Sequence, residues 1–165
     1  MKTSTLLFGS AAAFLIIGGG TKTMIDLKNA SENEKAYAPM IANIEKKYSI
    51  PSGLLHKLIR AESAFRSDII AGKTRSKTGA LGIAQFMPAT AKEWLGSEAE
   101  ALNPALALDG AARYLKWLYA QVGNDWTKAV AAYNWGIGNV KKKTLASAPT
   151  ETKNYVKKIL GVSIA

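Results

Sequence analysis

The stretch that decides the fold runs from Leu54 to Pro88 and reads LLHKLIRAESAFRSDIIAGKTRSKTGALGIAQFMP. Apolar residues at spacings of three and four precede Glu62 on the same face of a predicted helix: Leu55, Leu58 and Ile59. A carboxylate on an apolar face is partly desolvated, and desolvation raises its pKa. From position alone, Glu62 is either a candidate general acid or a structural carboxylate that pairs with an arginine or caps a buried amide.

The rest of the chain reads as helices separated by Gly, Pro and Asn. Besides the helix that carries Glu62 and one that ends at Gly123, the pattern predicts helices over Glu34–Lys47, Pro88–Leu95, Trp126–Tyr133 and Glu151–Leu160. Ser52 and Asp125 are candidate N-caps, and 65–78 is a polar connection. No segment alternates as a strand does. The predicted fold class is therefore all-α, with at most a minor β ribbon near 72–82.

The N-terminal segment is set apart from the predicted domain by its composition. Lys2 precedes an apolar run over Leu6–Ile17, broken only by Gly9 and Ser10, which is typical of a secretory signal peptide or a short membrane anchor. The polar, weakly patterned residues 21–33 then predict a linker. We expect residues 1–20 to be a signal peptide or membrane anchor and residues 34–165 to form one catalytic domain.

Charge and residue types narrow the possible functions. The net charge of +10 favours polyanionic partners, such as nucleic acid, anionic lipid or acidic wall polymers. Nucleic acid is not expected, because no zinc-finger, RNP or basic-zipper pattern is present. The chain has no cysteine and one histidine, His56, and its carboxylates are not clustered, so we expect no metal site. A lone helical histidine predicts a solvated or core-edge side chain.

One acid beside amides and aromatic rings suits a carbohydrate ligand. General acid catalysis at a glycosidic bond needs a carboxyl that stays protonated near neutral pH, and desolvation supplies one. The pattern predicts core packing for three tryptophans: Trp94, Trp117 and Trp126. The side chains with the composition of a sugar-binding wall are Gln85, Phe86, Tyr133, Asn134, Trp135 and Tyr155.

Four motifs in order resemble the soluble lytic transglycosylases, a lysozyme-like family of peptidoglycan lyases. They are Glu62-Ser63, GALGIAQFMPATA at 79–91, AYNWGIGNV at 132–140 and ETKNYV at 151–156. The resemblance covers about Ile44 to Ile159. It implies a compact, lysozyme-like helical domain that needs no cofactor.

The resemblance also implies roles for individual residues. Glu62 would be the catalytic acid and base, and Ser63 would hold the end of its helix by hydrogen bonding. The substrate-binding residues would be Ser76, Gln85, Met87, Tyr133, Asn134 and Tyr155. In this family one glutamate protonates the glycosidic oxygen and then activates the C6 hydroxyl of N-acetylmuramic acid, which gives a 1,6-anhydro sugar with help from the substrate's N-acetyl group.

Two alternatives to this activity stay open at the level of sequence. A goose-type lysozyme would hydrolyse the same bond, and hydrolysis usually uses a second carboxylate, for which Asp68 is the only nearby candidate. A membrane-anchored envelope or virion component could carry a vestigial site. The expected partners are peptidoglycan glycan strands, a membrane through residues 1–20, and a secretion, conjugation or phage assembly. The expected location is the cell envelope facing the wall, or the virion of a phage.

Overall fold

The computed structural model describes residue 27 and residues 30–164. The predicted signal peptide or anchor (1–20) lies outside the described residues, as does most of the predicted linker (21–33). The described part forms eight α-helices and two 3₁₀ turns, and none of these helices is long and apolar enough to cross a membrane. In chain order they are α1 (Glu32–Lys47), α2 (Leu54–Ser63), α3 (Ser67–Ile70), α4 (Pro88–Leu95), a 3₁₀ turn (Ala99–Leu102), α5 (Pro104–Gln121), α6 (Trp126–Trp135), α7 (Ile137–Lys142), a 3₁₀ turn (Leu145–Ser147) and α8 (Thr150–Leu160).

The predicted all-α class is confirmed, since the described residues contain helices and no strand. The expected ribbon is reduced to one antiparallel bridge between Leu81 and Phe86. The polar connection 65–78 contains the short helix α3, which the sequence pattern did not predict.

Helix α6 lies at the centre of the domain and packs against α5, α7 and α8. Its residues Ala129, Val130, Ala131 and Ala132 are fully buried, because their small side chains allow three helices to approach closely. Helix α2 packs against α1 and α8. The end of α2 is therefore held between the first and the last helix of the domain.

The N-terminus of α2 is capped by a side chain from α1. The buried carboxylate of Glu45 accepts hydrogen bonds from the backbone N–H of Gly53 at 2.7 Å and of His56 at 3.1 Å. The prediction that Ser52 caps this helix is wrong, since the capping position is Gly53 with a left-handed backbone. Glu45 satisfies helix N–H groups that would otherwise lack partners.

A hydrogen-bonded cluster of Glu34, His56 and Arg60 joins α1 to the middle of α2. His56 is fully buried, so the prediction of a solvated or core-edge histidine is wrong. The Glu34 carboxylate can only accept, so His56 Nε2 donates to it at 2.6 Å, and Arg60 Nε donates to the same oxygen at 2.6 Å. Burial lowers the pKa of His56 and so favours its neutral form. The buried carboxylate and the arginine form the ion pair.

Residues 80–87, just before α4, fold into a tight and mostly buried loop, which we call the buried loop. Leu81 and Phe86 exchange two backbone hydrogen bonds of 2.9 and 3.0 Å, and both side chains are buried. Gly82 has φ of +67°, and a Cβ atom there would lie 1.9 Å from the carbonyl oxygen of Ala101. Only glycine fits this position, so the loop is pressed against the 3₁₀ turn that follows α4.

Candidate active site

Glu62 lies in the last turn of α2, where the chain leaves the helix abruptly. The first two residues after the helix, Ala64 and Phe65, have positive φ values of 49° and 56°. Ser63 is buried, and its hydroxyl donates to the carbonyl of Ile59 at 3.3 Å and accepts from the N–H of Phe65 at 3.2 Å. These bonds fix the helix end and so the direction in which the partly buried Glu62 side chain projects.

Tyr155 reaches Glu62 from the last helix. The two residues are 93 positions apart, and α8 brings them together because it packs against α2. The Tyr155 hydroxyl donates a hydrogen bond to Glu62 Oε1. Burial, together with the nearby Glu62 charge, raises the pKa of Tyr155 well above its ordinary value of 10.0, so the phenol stays protonated and remains a donor.

The Glu62 carboxyl has the proton affinity of a group that works near neutral pH. Burial raises its pKa from 4.5 to about 7, while the hydrogen bond from Tyr155 and the charge of Lys158 oppose the rise. The negative charge of Glu151 adds a smaller upward shift. At pH 7 both protonation states are populated, so this carboxyl can donate a proton and take one back.

Tyr133 lies near Glu62 and links α6 to the buried loop. Its hydroxyl donates to the carbonyl of Ala84 at 3.1 Å. Burial and the neighbouring Glu62 charge raise the pKa of Tyr133 well above its ordinary value of 10.0. The structure thus brings Glu62, Tyr133 and Tyr155 to one place from three different helices.

The other predicted binding residues lie around this centre with different contacts. Gln85 follows Ala84 in the buried loop and donates to the carbonyl of Gly82 at 2.9 Å. Met87 is 43% exposed at the end of that loop. Asn134 follows Tyr133, and its side-chain oxygen accepts from the Thr152 hydroxyl at 2.8 Å, which links α6 to α8.

Ser76 makes no hydrogen bond to the other predicted site residues among the described contacts. It is exposed, its hydroxyl accepts from the N–H of Ala80 at 2.9 Å, and it shares a 2.9 Å hydrogen bond with Thr78. All of these partners belong to its own loop. The described contacts thus give Ser76 a part in shaping the loop.

The sequence analysis did not identify two charged residues that belong to the site. Glu151 and Lys158 lie four residues before and three residues after Tyr155, so the helical spacing of α8 puts all three on one face. That spacing was the available signal, but it becomes informative only once Tyr155 is known to contact Glu62. Among the described residues, no group of three His, Cys, Asp or Glu side chains is placed to hold a metal ion.

Comparisons with known proteins show which family this chain resembles. A family model described as the transglycosylase SLT domain matches residues 39–156. Peptidoglycan transglycosylase gp16 of Escherichia phage T7 is 36% identical over 123 residues, which are 67% of this chain and 9% of that protein. Soluble lytic murein transglycosylase of Escherichia coli (strain K12) is 29% identical over 146 residues, which are 76% of this chain and 22% of that protein.

A solved structure has the same fold over most of the described residues. The crystal structure of an inactive mutant of lytic transglycosylase Slt from Pseudomonas aeruginosa matches with a TM-score of 0.65 and 29% identity, covering 76% of this chain and 23% of that chain. This chain spans less than a quarter of the length of each of these relatives. The match to the family model covers well over half of the chain, and the chain belongs to the transglycosylase SLT domain family.

Proposed function

We propose that this chain is a peptidoglycan lytic transglycosylase that cleaves the β-1,4 bond between N-acetylmuramic acid and N-acetylglucosamine. The observation that carries the proposal is the Glu62 carboxyl, whose pKa is about 7 and which accepts a hydrogen bond from Tyr155. A carboxyl of this kind can act as acid and as base in one reaction cycle. The relatives named as peptidoglycan or murein transglycosylases support the same substrate.

The proposed reaction has two proton transfers through Glu62. Protonated Glu62 donates to the glycosidic oxygen, the bond from that oxygen to C1 of the muramic acid breaks, and the N-acetylglucosamine product leaves with the proton. The Glu62 carboxylate then takes the proton of the C6 hydroxyl as that oxygen bonds to C1, helped by the substrate's N-acetyl group. The 1,6-anhydro ring closes, Glu62 is protonated again, and no water is consumed.

The surrounding residues have supporting roles in this proposal. Tyr155 holds the Glu62 carboxylate in position by its hydrogen bond, and Ser63 fixes the helix end that carries it. Tyr133 and Asn134 line one wall of the glycan groove, and the bonds that fix them to the loop and to α8 support these roles. The remaining groove residues would be Ser76, Gln85 and Met87.

The same proposal includes the location and the domain plan. Residues 34–165 would be the catalytic domain, and the apolar run in residues 1–20 supports export or anchoring on the wall side of a membrane. The similarity to a phage protein supports a virion as the alternative location. The peptidoglycan opened by the enzyme would then serve a secretion, conjugation or phage assembly.

The reaction products test the proposal directly. Purified peptidoglycan sacculi digested by the protein and analysed by mass spectrometry should release muropeptides that end in 1,6-anhydro-N-acetylmuramic acid. These products are lighter by one water than the products of hydrolysis. If all muropeptides instead carried a reducing muramic acid, the enzyme would be a hydrolase of the goose-lysozyme type.

The contact between Tyr155 and Glu62 predicts how activity depends on pH. Because this hydrogen bond stabilises the ionised carboxylate, the Tyr155→Phe variant should have a higher Glu62 pKa than the wild type. The fall of kcat/KM on the alkaline side, where Glu62 loses its proton, should therefore shift to higher pH.

The pH profile of kcat/KM between pH 5 and 9 gives this measurement. Tyr119→Phe is the matched control, because Tyr119 stacks on Trp126 with ring centroids 4.0 Å apart and not on the site. The Tyr119→Phe variant should have the same pH profile of kcat/KM as the wild type. If kcat/KM of Tyr155→Phe falls on the alkaline side at the same pH as in the wild type, the hydrogen bond does not set the Glu62 pKa.

A further inference from the structure

Three aromatic side chains of α4 and α5 form a cluster at the edge of the core, with Trp94 and Tyr114 partly buried against it. The ring centroids of Trp94 and Tyr114 are 5.2 Å apart, those of Trp94 and Trp117 are 5.6 Å apart, and those of Tyr114 and Trp117 are 6.1 Å apart. Trp117 is 38% exposed, so the prediction that it packs in the core is wrong. The buried face of α5 is formed by Ala111, Leu115 and Leu118, which leaves Trp117 on the open side.

The aromatic cluster (Trp94, Tyr114 and Trp117) contacts the candidate active site through Tyr114. The Tyr114 ring lies 5.4 Å from the ring of Tyr133, the residue that borders Glu62. Trp94 also follows Met87 by seven residues, so the two lie on the same face of α4, about 10 Å apart along the helix axis. The contact between Tyr114 and Tyr133 thus joins the cluster to the candidate active site.

The cluster is held in place by contacts beneath it. Arg113 donates from Nη2 to the backbone carbonyl of Trp94 at 2.8 Å and from Nε to Asp109 at 3.1 Å. Gly110 lets Leu95 approach so closely that a Cβ atom at position 110 would lie 2.1 Å from the leucine side chain. Helices α4 and α5 are therefore locked together, and the three rings are arranged before any ligand binds.

The composition of the cluster fits a carbohydrate better than a protein. Aromatic rings offer flat apolar faces, and the Tyr114 hydroxyl, which makes no hydrogen bond among the described residues, adds a polar group at their edge. A stable protein interface uses about 20–30 residues a side. The other large exposed apolar side chains of the described residues are single residues on different parts of the chain: Met40, Met87, Leu106 and Val162.

We propose that Trp94, Tyr114 and Trp117 form a distal saccharide subsite, which binds the peptidoglycan glycan strand beyond the bond that is cleaved beside Glu62. The inference rests on the proposed function, since it extends the same groove. Sugars of a long strand would stack on the rings, while a short oligosaccharide that fills only the central site would not reach them. Binding and turnover should therefore depend on strand length through Trp117.

The test compares long glycan strands with a tetrasaccharide for the wild type and Trp117→Ala. We expect Trp117→Ala to raise KM for long strands by roughly two- to tenfold, the range of one aromatic contact, and to leave kcat and the tetrasaccharide kinetics unchanged. Trp117→Phe should restore most of the loss. Met40→Ala, at an equally exposed position (39%) on α1, should resemble the wild type.

Binding to a non-cleaving variant separates this inference from the proposed function. Titration of uncut strands into Glu62→Gln, with and without Trp117→Ala, should show the same length-dependent loss of affinity. An equal loss for long and short ligands, or no loss, would overturn the subsite, and so would dimerisation of the wild type that Trp117→Ala abolishes in sedimentation. If the wild type cleaves no glycan, the proposed function fails, and the titration still decides whether the strand binds at the cluster.

Discussion

Replacing Glu62 by glutamine is expected to lower the rate of peptidoglycan cleavage by about 10²–10⁴-fold or more. Glutamine has nearly the same shape and can still accept the Tyr155 hydrogen bond, but it can neither donate a proton to the glycosidic oxygen nor take one from the C6 hydroxyl. Both steps of the proposed reaction pass through this one side chain. The rate of muropeptide release from purified sacculi gives the measurement.

Asp68→Asn is the matched carboxylate control for this experiment. The Asp68 carboxylate accepts hydrogen bonds from Arg66 at 2.7 Å and from the Thr74 hydroxyl at 2.8 Å. Both hydrogen bonds lower the pKa of this carboxyl, and the one from Thr74 has the larger effect. Asp68 is thus tied into its own loop, and the variant should cleave at nearly the wild-type rate. Unchanged cleavage by Glu62→Gln would show that Glu62 is not the acid, while a large loss in Asp68→Asn would favour a two-carboxylate hydrolase.

The stability of Glu62→Gln shows whether any loss of activity comes from misfolding. In the folded wild type the pKa of Glu62 is about 7, above its ordinary 4.5, so ionising this carboxyl costs stability as the pH rises through that interval. The glutamine side chain of the variant carries no charge in this pH interval, so the variant does not lose this stability. Its thermal midpoint should match the wild type near pH 4, exceed it increasingly up to about pH 7, and keep that advantage at pH 8.

Replacing Gly82 by alanine is expected to cost about 2–5 kcal/mol of unfolding free energy. The added methyl group would meet the carbonyl oxygen of Ala101 at 1.9 Å, and backbone at this distance cannot give way as a flexible side chain can. Overpacking typically costs ~1–3 kcal/mol, and the left-handed φ of +67° adds ~1–2 kcal/mol for a residue with a side chain. Denaturant unfolding of the two proteins gives the difference.

Gly79→Ala separates the steric clash from the backbone conformation. Gly79 also has a positive φ, +83°, but a Cβ atom there would meet nothing within 4 Å. This variant should lose only the ~1–2 kcal/mol of the left-handed conformation. If both variants lost the same amount, the close approach of Gly82 to Ala101 would not be what limits this position.

The sequence was sufficient for the helices whose signals are local. Leu55, Leu58 and Ile59 follow helical spacing and are fully buried, and Asp125 caps α6 by accepting from Thr127 at 2.8 Å, as predicted. Spacing and capping residues act within one or two turns, so they can be read without knowing the fold.

Features that depend on distant partners could not be read from local patterns. His56 is buried because Glu34, 22 residues earlier, supplies its hydrogen-bond acceptor, and α2 is capped by Glu45 rather than by its neighbour Ser52. The contact between Glu62 and Tyr155 joins residues 93 positions apart. Only the ordered motifs of a known family pointed to both of these residues together.

The local sequence pattern also could not predict that a large aromatic residue is exposed. Trp117 occurs in an apolar helix, and nothing in its spacing distinguishes a core tryptophan from one at the surface. The difference arises from the packing around α5: Leu115 and Leu118 face the core, while Trp117 contacts Trp94 of α4 and stays 38% exposed.

The hydrogen bonds made by the start of α1 decide how short a fragment of this protein can be. The family match begins at residue 39, but Glu34, which holds His56 and Arg60, lies before it. Asn33 also lies before it and donates to the carbonyl of Phe65 at 2.9 Å, three residues beyond Glu62. A fragment trimmed to the matched boundary would lose the contacts that support α2 at its middle and at its end. We therefore expect a stable fragment to start no later than Ser31, whose side chain caps α1 by accepting from the N–H of Glu34.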